Sequence, residues 1–419
     1  MTTTCGCPED RALSRRRFLQ ALGVAGGAAA ASPLLPASVA YAQDASPGDV
    51  LVVLSLRGGV DGLSLVAPVG DPDYARLRPT IAVPGASGVP TGDRLFALHP
   101  ALAPLKPLWD AGRLGAVHAV GTPDGSRSHF RATEELERAA PGTSLRTGWL
   151  DRVVGVSATG SVLETVHLGG GVLPTLLQGP SRELTAASLR RFRLDGAEWV
   201  GPRMAAAVRA LHEGVSGPAV PAARGALAAL DAVAAVNAAA GPQNGAVYPD
   251  SDLGRALADT ARLVRHGQGL RTVCLDVGDW DMHAGLGRDG TGWMADQAGR
   301  LAQALAAFAQ DLGALMSRVV VVTVSEFGRR AAENGSGGTD HGHGNAMLLL
   351  GGGVVGGRVH GRWPGLAPSA LDAGDLAGTT DYRDVLGELL VTRCGVPAGS
   401  LGDVFPGHRL QPLGLARTP

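Results

Sequence analysis

Short apolar runs alternate with amphipathic stretches along most of the chain, the pattern of parallel strands joined by helices in an α/β fold. Asp49 to Leu56 (DVLVVLSL) is almost continuously apolar and β-branched, as a strand buried on both faces should be. Further strands are predicted over Leu114 to Val120, Val162 to Leu168, Thr272 to Val277, Arg318 to Val324 and Asn345 to Leu350. Helices are predicted over Ala101 to Ala111, Phe130 to Arg138 and Ser251 to His266, the last capped by Asp250 or Ser251. Leu301, Leu305, Phe308, Leu312 and Leu315 recur at steps of four and three, one apolar stripe of a long helix against the core. Ser181 to Gly245 is Ala-rich and weakly periodic, and reads as a helical insertion or cap over the sheet, with no internal repeat.

The first 42 residues follow a different pattern. Arg15-Arg16-Arg17 precede a weakly apolar stretch from Phe18 to Ala31, followed by Pro33, Pro36 and the small-residue sites Ser38-Val39-Ala40 and Ala40-Tyr41-Ala42. This is the order of a twin-arginine signal peptide over residues 1–42, which implies a mature domain of 43–419 handed to the twin-arginine export machinery and working in the periplasm or outside the cell. The stretch falls short of the ~20 strongly apolar residues of a spanning helix, so no stable membrane anchor is expected in the mature form.

Removing that segment leaves roughly 375 residues, enough for one large domain with a substantial core. The 37 basic residues are balanced by 38 acidic ones and only Lys106 is lysine, so nothing favours a nucleic-acid partner. Of four cysteines, Cys5 and Cys7 precede the signal arginines; Cys274 and Cys394 remain, and their spacing does not assign a disulfide.

Ligands of such sheets bind beyond the carboxyl ends of the strands, and there the Asp and His residues gather. The segments are Arg57-Gly58-Gly59-Val60-Asp61 after the first strand, Gly121 to Phe130 after the second, Gly278-Asp279-Trp280-Asp281-Met282-His283 after the fourth and Ser325-Glu326-Phe327-Gly328-Arg329 after the fifth. Gly337-Gly338-Thr339-Asp340-His341-Gly342-His343-Gly344 stands immediately before the sixth. Converging carboxylates and imidazoles are the ligand set of a divalent ion such as Zn, Mn or Ca. Asp281 and His283, two apart in an extended loop, point the same way; Asp340 and His341 serve one ion if the backbone turns between flanking glycines. Taken singly, each pair is better explained by helix caps and local backbone bonds; their joint placement at strand ends favours a metal site. Gly351 to Gly357 (GGGVVGG) lacks the Lys-Ser/Thr of a phosphate cradle and reads as turns after an edge strand. Glu326 and Arg329 read either as acid and anion clamp or as a pair bonded to each other.

The run VVLSLRGGVDGLSLVAPVGDPDYARLRP, with SRSHF, TGWL, GDWDMH, SEFGRR, GGTDHGHGN, GGGVVGG, DYRDVL and VFPG in order, resembles the bacterial exported family called domain of unknown function 1501. That family is similar to the alkaline phosphatase and sulfatase superfamily. The resemblance implies an alkaline phosphatase-like three-layer sandwich, a mixed, mostly parallel sheet between helix layers, with metal ions at the strand ends. Carried over residue by residue, it implies Asp61 as an early metal carboxylate, Asp340 and His341 as the adjacent Asp-His pair, Asp281 or Asp279 with His283 as further ligands, and His343 or His360 as the last histidine. Ser126 and Ser128 stand where a nucleophile would precede a helix, and Arg127 where a guanidinium would hold an anionic ester or pair with a carboxylate. The Cys-x-Pro-x-Arg signature of formylglycine sulfatases is absent. The expectation is a metal-dependent hydrolase acting on a small anionic phosphate or sulfate ester; the alternative is a binding or surface-assembly protein that keeps the fold without turnover.

Overall fold

The computed structural model describes residues 49–419 apart from 171, 182, 195–199, 268 and 289. The expected signal segment, residues 1–42, lies outside the described residues. One nine-stranded sheet organises the chain: β1 (Val50–Leu56), β2 (Leu114–Gly121), β3 (Thr165–Leu168), β4 (Leu184–Ala186), β5 (Thr272–Val277), β6 (Val319–Val324), β7 (Asn345–Gly351), β8 (Val359–His360) and β9 (Thr380–Asp381). The order is β8-β2-β7-β6-β1-β5-β3-β4, with β9 also on β2. Every pairing is parallel except those of β7, which runs against both β6 and β2. The mixed, mostly parallel sheet is as expected, and it has a functional consequence: the loop before β7 lies at the same edge as the loops that follow its parallel neighbours.

Seven longer helices pack around this sheet: α1 (His129–Arg138), α2 (Trp149–Ser157), α3 (Val200–His212), α4 (Val220–Ala238), α5 (Asp252–His266), α6 (Trp293–Leu312) and α7 (Tyr382–Thr392). Successive residues of β1 point to opposite faces, and each face has its own core. Val52 and Leu54 join Val273, Val321, Leu257 of α5 and Leu301, Leu305 and Phe308 of α6. Leu51 and Val53 join Val322, Trp149 and Val153 of α2 and Val385, Leu386 and Leu389 of α7. Two helix layers therefore sandwich the sheet.

Most differences from the sequence expectation have local causes. The helix predicted over Ala101 to Ala111 is a 3-10 helix, Pro100–Leu105, followed by a short α-helix, Lys106–Asp110; Pro104 and Pro107 lack the N–H groups that one continuous helix would use. The apolar stripe ends at Leu312 because Gly313, at φ 53°, turns the chain into a 3-10 segment where Met316 rather than Leu315 enters the core. The 181–245 region contains α3 and α4 but also contributes β4, paired with β3 at the sheet edge. Gly351 to Gly357 follows β7, an interior strand rather than an edge one. Cys274 and Cys394 are free, buried thiols in the same core, and burial pushes Cys394 up to about 12. Among the described residues no helix is long and apolar enough to cross a membrane.

Two buried histidines, His99 and His118, couple this fold to pH, each with its pKa lowered to about 4 by burial. In β2 the N–H of Ala119 donates to His118 Nδ1 at 2.8 Å, so Nε2 carries the proton and donates to the Val66 carbonyl at 2.9 Å. Phe96 stacks on the ring and Trp363 meets it edge-on. Desolvation outweighs these bonds and nearby Asp61, and lowers the pKa from 6.5 to about 4. The unfolded chain takes up this proton at a higher pH than the folded one, so the stabilisation is complete above pH ~6.5 and is lost as pH falls towards ~4. Thermal unfolding should show this as an acid slope on the order of a few kcal/mol, and the slope should flatten in His118→Gln. An identical slope in the variant would assign the loss to other groups.

Candidate metal centre

The loops at the carboxyl edge are held in contact by their lack of side chains. A Cβ on Gly58 (φ 116°) would come within 2.6 Å of the Asp281 nitrogen, and one on Gly338 within 2.4 Å of the His283 backbone. Along the loop after β5 burial alternates, with Trp280 and Met282 buried and Asp281 and His283 exposed. Across from it, an antiparallel bridge pairs Arg329 with His341, and Arg330 N–H donates to the Asp340 carbonyl. The two Asp-His pairs, nearly sixty residues apart, are thereby brought into contact: His283 Nε2 lies 2.9 Å from His341 Nε2, and His283 Nδ1 lies 3.3 Å from Asp340 Oδ1.

A third histidine completes the group. Helix α1 begins at His129, one residue earlier than predicted, and its first turn points this ring at the loops. His129, Asp281 and His341 each bring one ligand atom within 4.8 Å of the others.

The tautomers follow from the outer partners. His129 Nδ1 donates to Glu326 Oε1 (2.8 Å), His341 Nδ1 to the Arg127 carbonyl (2.8 Å), and His283 Nδ1 faces the Asp340 carboxylate. All three Nε2 lone pairs then turn inward on Asp281 Oδ1, from His129 at 3.5 Å, His283 at 3.2 Å and His341 at 3.3 Å. His129 Nε2 is buried without a hydrogen-bond partner. Lone pairs facing one another and a carboxylate repel unless a proton or a metal cation lies among them. Metal–ligand bonds of about 2.0–2.1 Å set neighbouring ligand atoms of a tetrahedral site roughly 3.3 Å apart. The residues present therefore fit a divalent ion, with carboxylates and a carbonyl orienting the imidazoles from outside.

Charge around the group is arranged by Arg329. Its buried guanidinium donates to the carbonyls of Gly58, Gly59 and Thr339 and to Asp281 Oδ1. Burial opposes ionisation of Asp281, but the bond and charge of Arg329 bring its carboxyl down to about 2. Asp340 is lowered chiefly by the amide of Asn334, and burial lowers His341. Arg329 and Glu326 do not pair with each other: Glu326 accepts from Gly58 N–H and holds His129.

Other predicted residues lie elsewhere. Asp61 caps the short helix Gly62–Leu65 and forms a fully buried ion pair with Arg78 at 2.6 Å, so its oxygens are committed to structure. His343 bonds the Thr122 carbonyl and His360 the Val355 carbonyl. Asp279, at φ 68°, is exposed on the rim of a cleft of about 670 Å³ that Asp281 also lines. Ser126 accepts from the Ser128 N–H within a turn capped by Asp124, and Arg127 pairs with buried Asp375 while its carbonyl orients His341. Sequence reasoning missed His129; its signal was the SRSHF segment at a strand end, where the serines drew attention instead.

Zinc titrated into the purified protein should bind, and Asp281→Ala, His283→Ala or His129→Ala should each weaken binding at least tenfold with little change in unfolding temperature. Glu326→Gln should cost about 10–100-fold by releasing His129. Asp61→Ala should do the reverse, destabilising the fold by about 3–5 kcal/mol through the orphaned Arg78 without a selective loss of metal. Calorimetry with thermal unfolding reads both, and equal zinc affinity in all variants would remove the centre.

Solved structures share features of this chain at low identity. The C-terminal periplasmic domain of EcEptC from Escherichia coli, in complex with Zn, is 9% identical with TM-score 0.34, the match covering 73% of each chain. The lipoteichoic acid synthase LtaP from Listeria monocytogenes is 12% identical with TM-score 0.34, covering 80% of this chain and 76% of that one. A TAB5 alkaline phosphatase mutant with Mg bound is 10% identical with TM-score 0.31, covering 73% of this chain and 92% of that one. At such similarity the functional reading rests on the chain's own side chains. A search of curated proteins finds no match. The motifs from Leu51 onward and the match of residues 109–383 agree, and the chain belongs to the family described as "Protein of unknown function (DUF1501)".

Proposed function

We propose that this chain is an exported, metal-dependent hydrolase of phosphate or sulfate esters. The observation that carries the reading is the convergence of three Nε2 lone pairs on Asp281 beside an open cleft. His129, His283, His341 and Asp281 would hold the ion, and a donor set of three imidazoles and one carboxylate favours Zn over Ca. With four protein ligands a bound ion would need a fifth position, and there it would polarise the ester oxygen or lower the pKa of an attacking water. The chain's own contribution is orientation. Glu326, Asp340 and the Arg127 carbonyl fix the three rings, and Arg329 keeps Asp281 ionised and in place. The Ser126 hydroxyl is turned to the Ser128 N–H rather than to an imidazole that could take its proton, which favours water over Ser126 as nucleophile. Attack by water breaks the bond from phosphorus or sulfur to the leaving oxygen, and the departing alcohol takes up a proton. Export is part of the proposal and rests on Arg15-Arg16-Arg17 and the small-residue cleavage sites.

The test is turnover of p-nitrophenyl phosphate, bis(p-nitrophenyl) phosphate and p-nitrophenyl sulfate by the zinc- or manganese-loaded mature protein. At least one should be hydrolysed, with kcat/KM reduced 100-fold or more in His283→Ala, abolished by chelation and restored by adding the metal back. Tight metal binding with no turnover of any of the three would leave the non-catalytic binding role as the better reading.

A further inference from the structure

We infer that the cleft beside the metal centre selects esters whose leaving group is an uncharged aromatic ring, with Phe130 as the platform on which that ring lies. This deepens the hydrolase reading and rests on it. Phe130 is 91% exposed, the most solvent-exposed of the large apolar side chains among the described residues. It follows His129 directly, and both line the same cleft of about 670 Å³ with Thr133 and Thr175. Its place is fixed, because Ala132 and Leu136 anchor the other face of α1 in the interior. An aromatic face beside the reacting centre, fully hydrated when empty, recovers its burial only when a ring covers it.

Charge along the cleft excludes a second anionic group on the substrate. Asp279, Asp281, Glu134 and Glu326 line it, and Arg57 is its only Arg or Lys among the described residues. That guanidinium is committed to Glu137 at 2.5 Å and Asp276 at 2.7 Å. Bound metal would offset the charge of the phosphoryl or sulfuryl group itself. A carboxylate or second phosphate on the leaving side would face a lining with more carboxylates than cations.

Three non-hydrolysable probes test this without turnover: phenylphosphonate, methylphosphonate and phosphonoacetate, titrated by calorimetry into the zinc-loaded protein. Phenylphosphonate should bind about tenfold or more tighter than methylphosphonate, and phosphonoacetate weakest. Phe130→Ala should erase the phenyl advantage while leaving metal content and methylphosphonate affinity unchanged, and Phe130→Trp should retain it. Equal binding of the phenyl and methyl probes, or a phenyl preference that survives Phe130→Ala, overturns the platform alone. If zinc binds but no phosphonate does, the ester-hydrolase reading falls and the platform with it.

Discussion

The candidate centre depends on one buried guanidinium. Arg329 is 1% exposed, and an unpaired charge at that depth would be prohibitive. Its donors are met by carbonyls from the loop after β1 and the loop before β7, and by Asp281 from the loop after β5. Three segments distant in sequence are thus pinned to one planar group. A carboxylate held this way needs little reorganisation to meet a cation, which is the practical meaning of a preorganised site. Arg329 donates to the same Asp281 oxygen, Oδ1, on which the three Nε2 atoms converge.

Sheet topology supplies the rest of the convergence. With β7 reversed, the Gly337–Gly344 loop that enters it meets the loops leaving β1, β5 and β6 at one edge, and α1 brings His129 to the same place from β2. The glycines are the counterpart of this crowding. Gly58 and Gly338 stand where backbones pass too closely for a Cβ, and Gly328 lies against the Gly344 carbonyl in the same way.

Much of this is legible in the sequence, for identifiable reasons. Strands buried on both faces are uniformly apolar, so β1, β5 and β6 declare themselves to within a residue or two. Asp281 with His283 and Asp340 with His341 stand out because capping and local backbone bonds give no reason for acid and imidazole to recur together at several strand ends, whereas a cation site needs both. Asp61 does not yield to the same logic, because nothing near it in sequence reveals Arg78, seventeen residues on, as its buried partner. His129 is equally hidden. Its role depends on the helix starting at His129 itself and on Glu326, almost two hundred residues away, fixing its tautomer. Pro104 and Pro107, inside an apolar stretch, are the legible sign that the helix at Ala101 does not run through.

The central claim is that His129, Asp281, His283 and His341 surround one cation. Crystals of the protein grown with zinc, measured on both sides of the zinc absorption edge, test it most directly. The account predicts one strong anomalous peak about 2.0–2.2 Å from the inward Nε2 atoms and an Asp281 oxygen. Full-occupancy zinc elsewhere with these four side chains unmoved, or no anomalous peak among them at saturating metal, would contradict it.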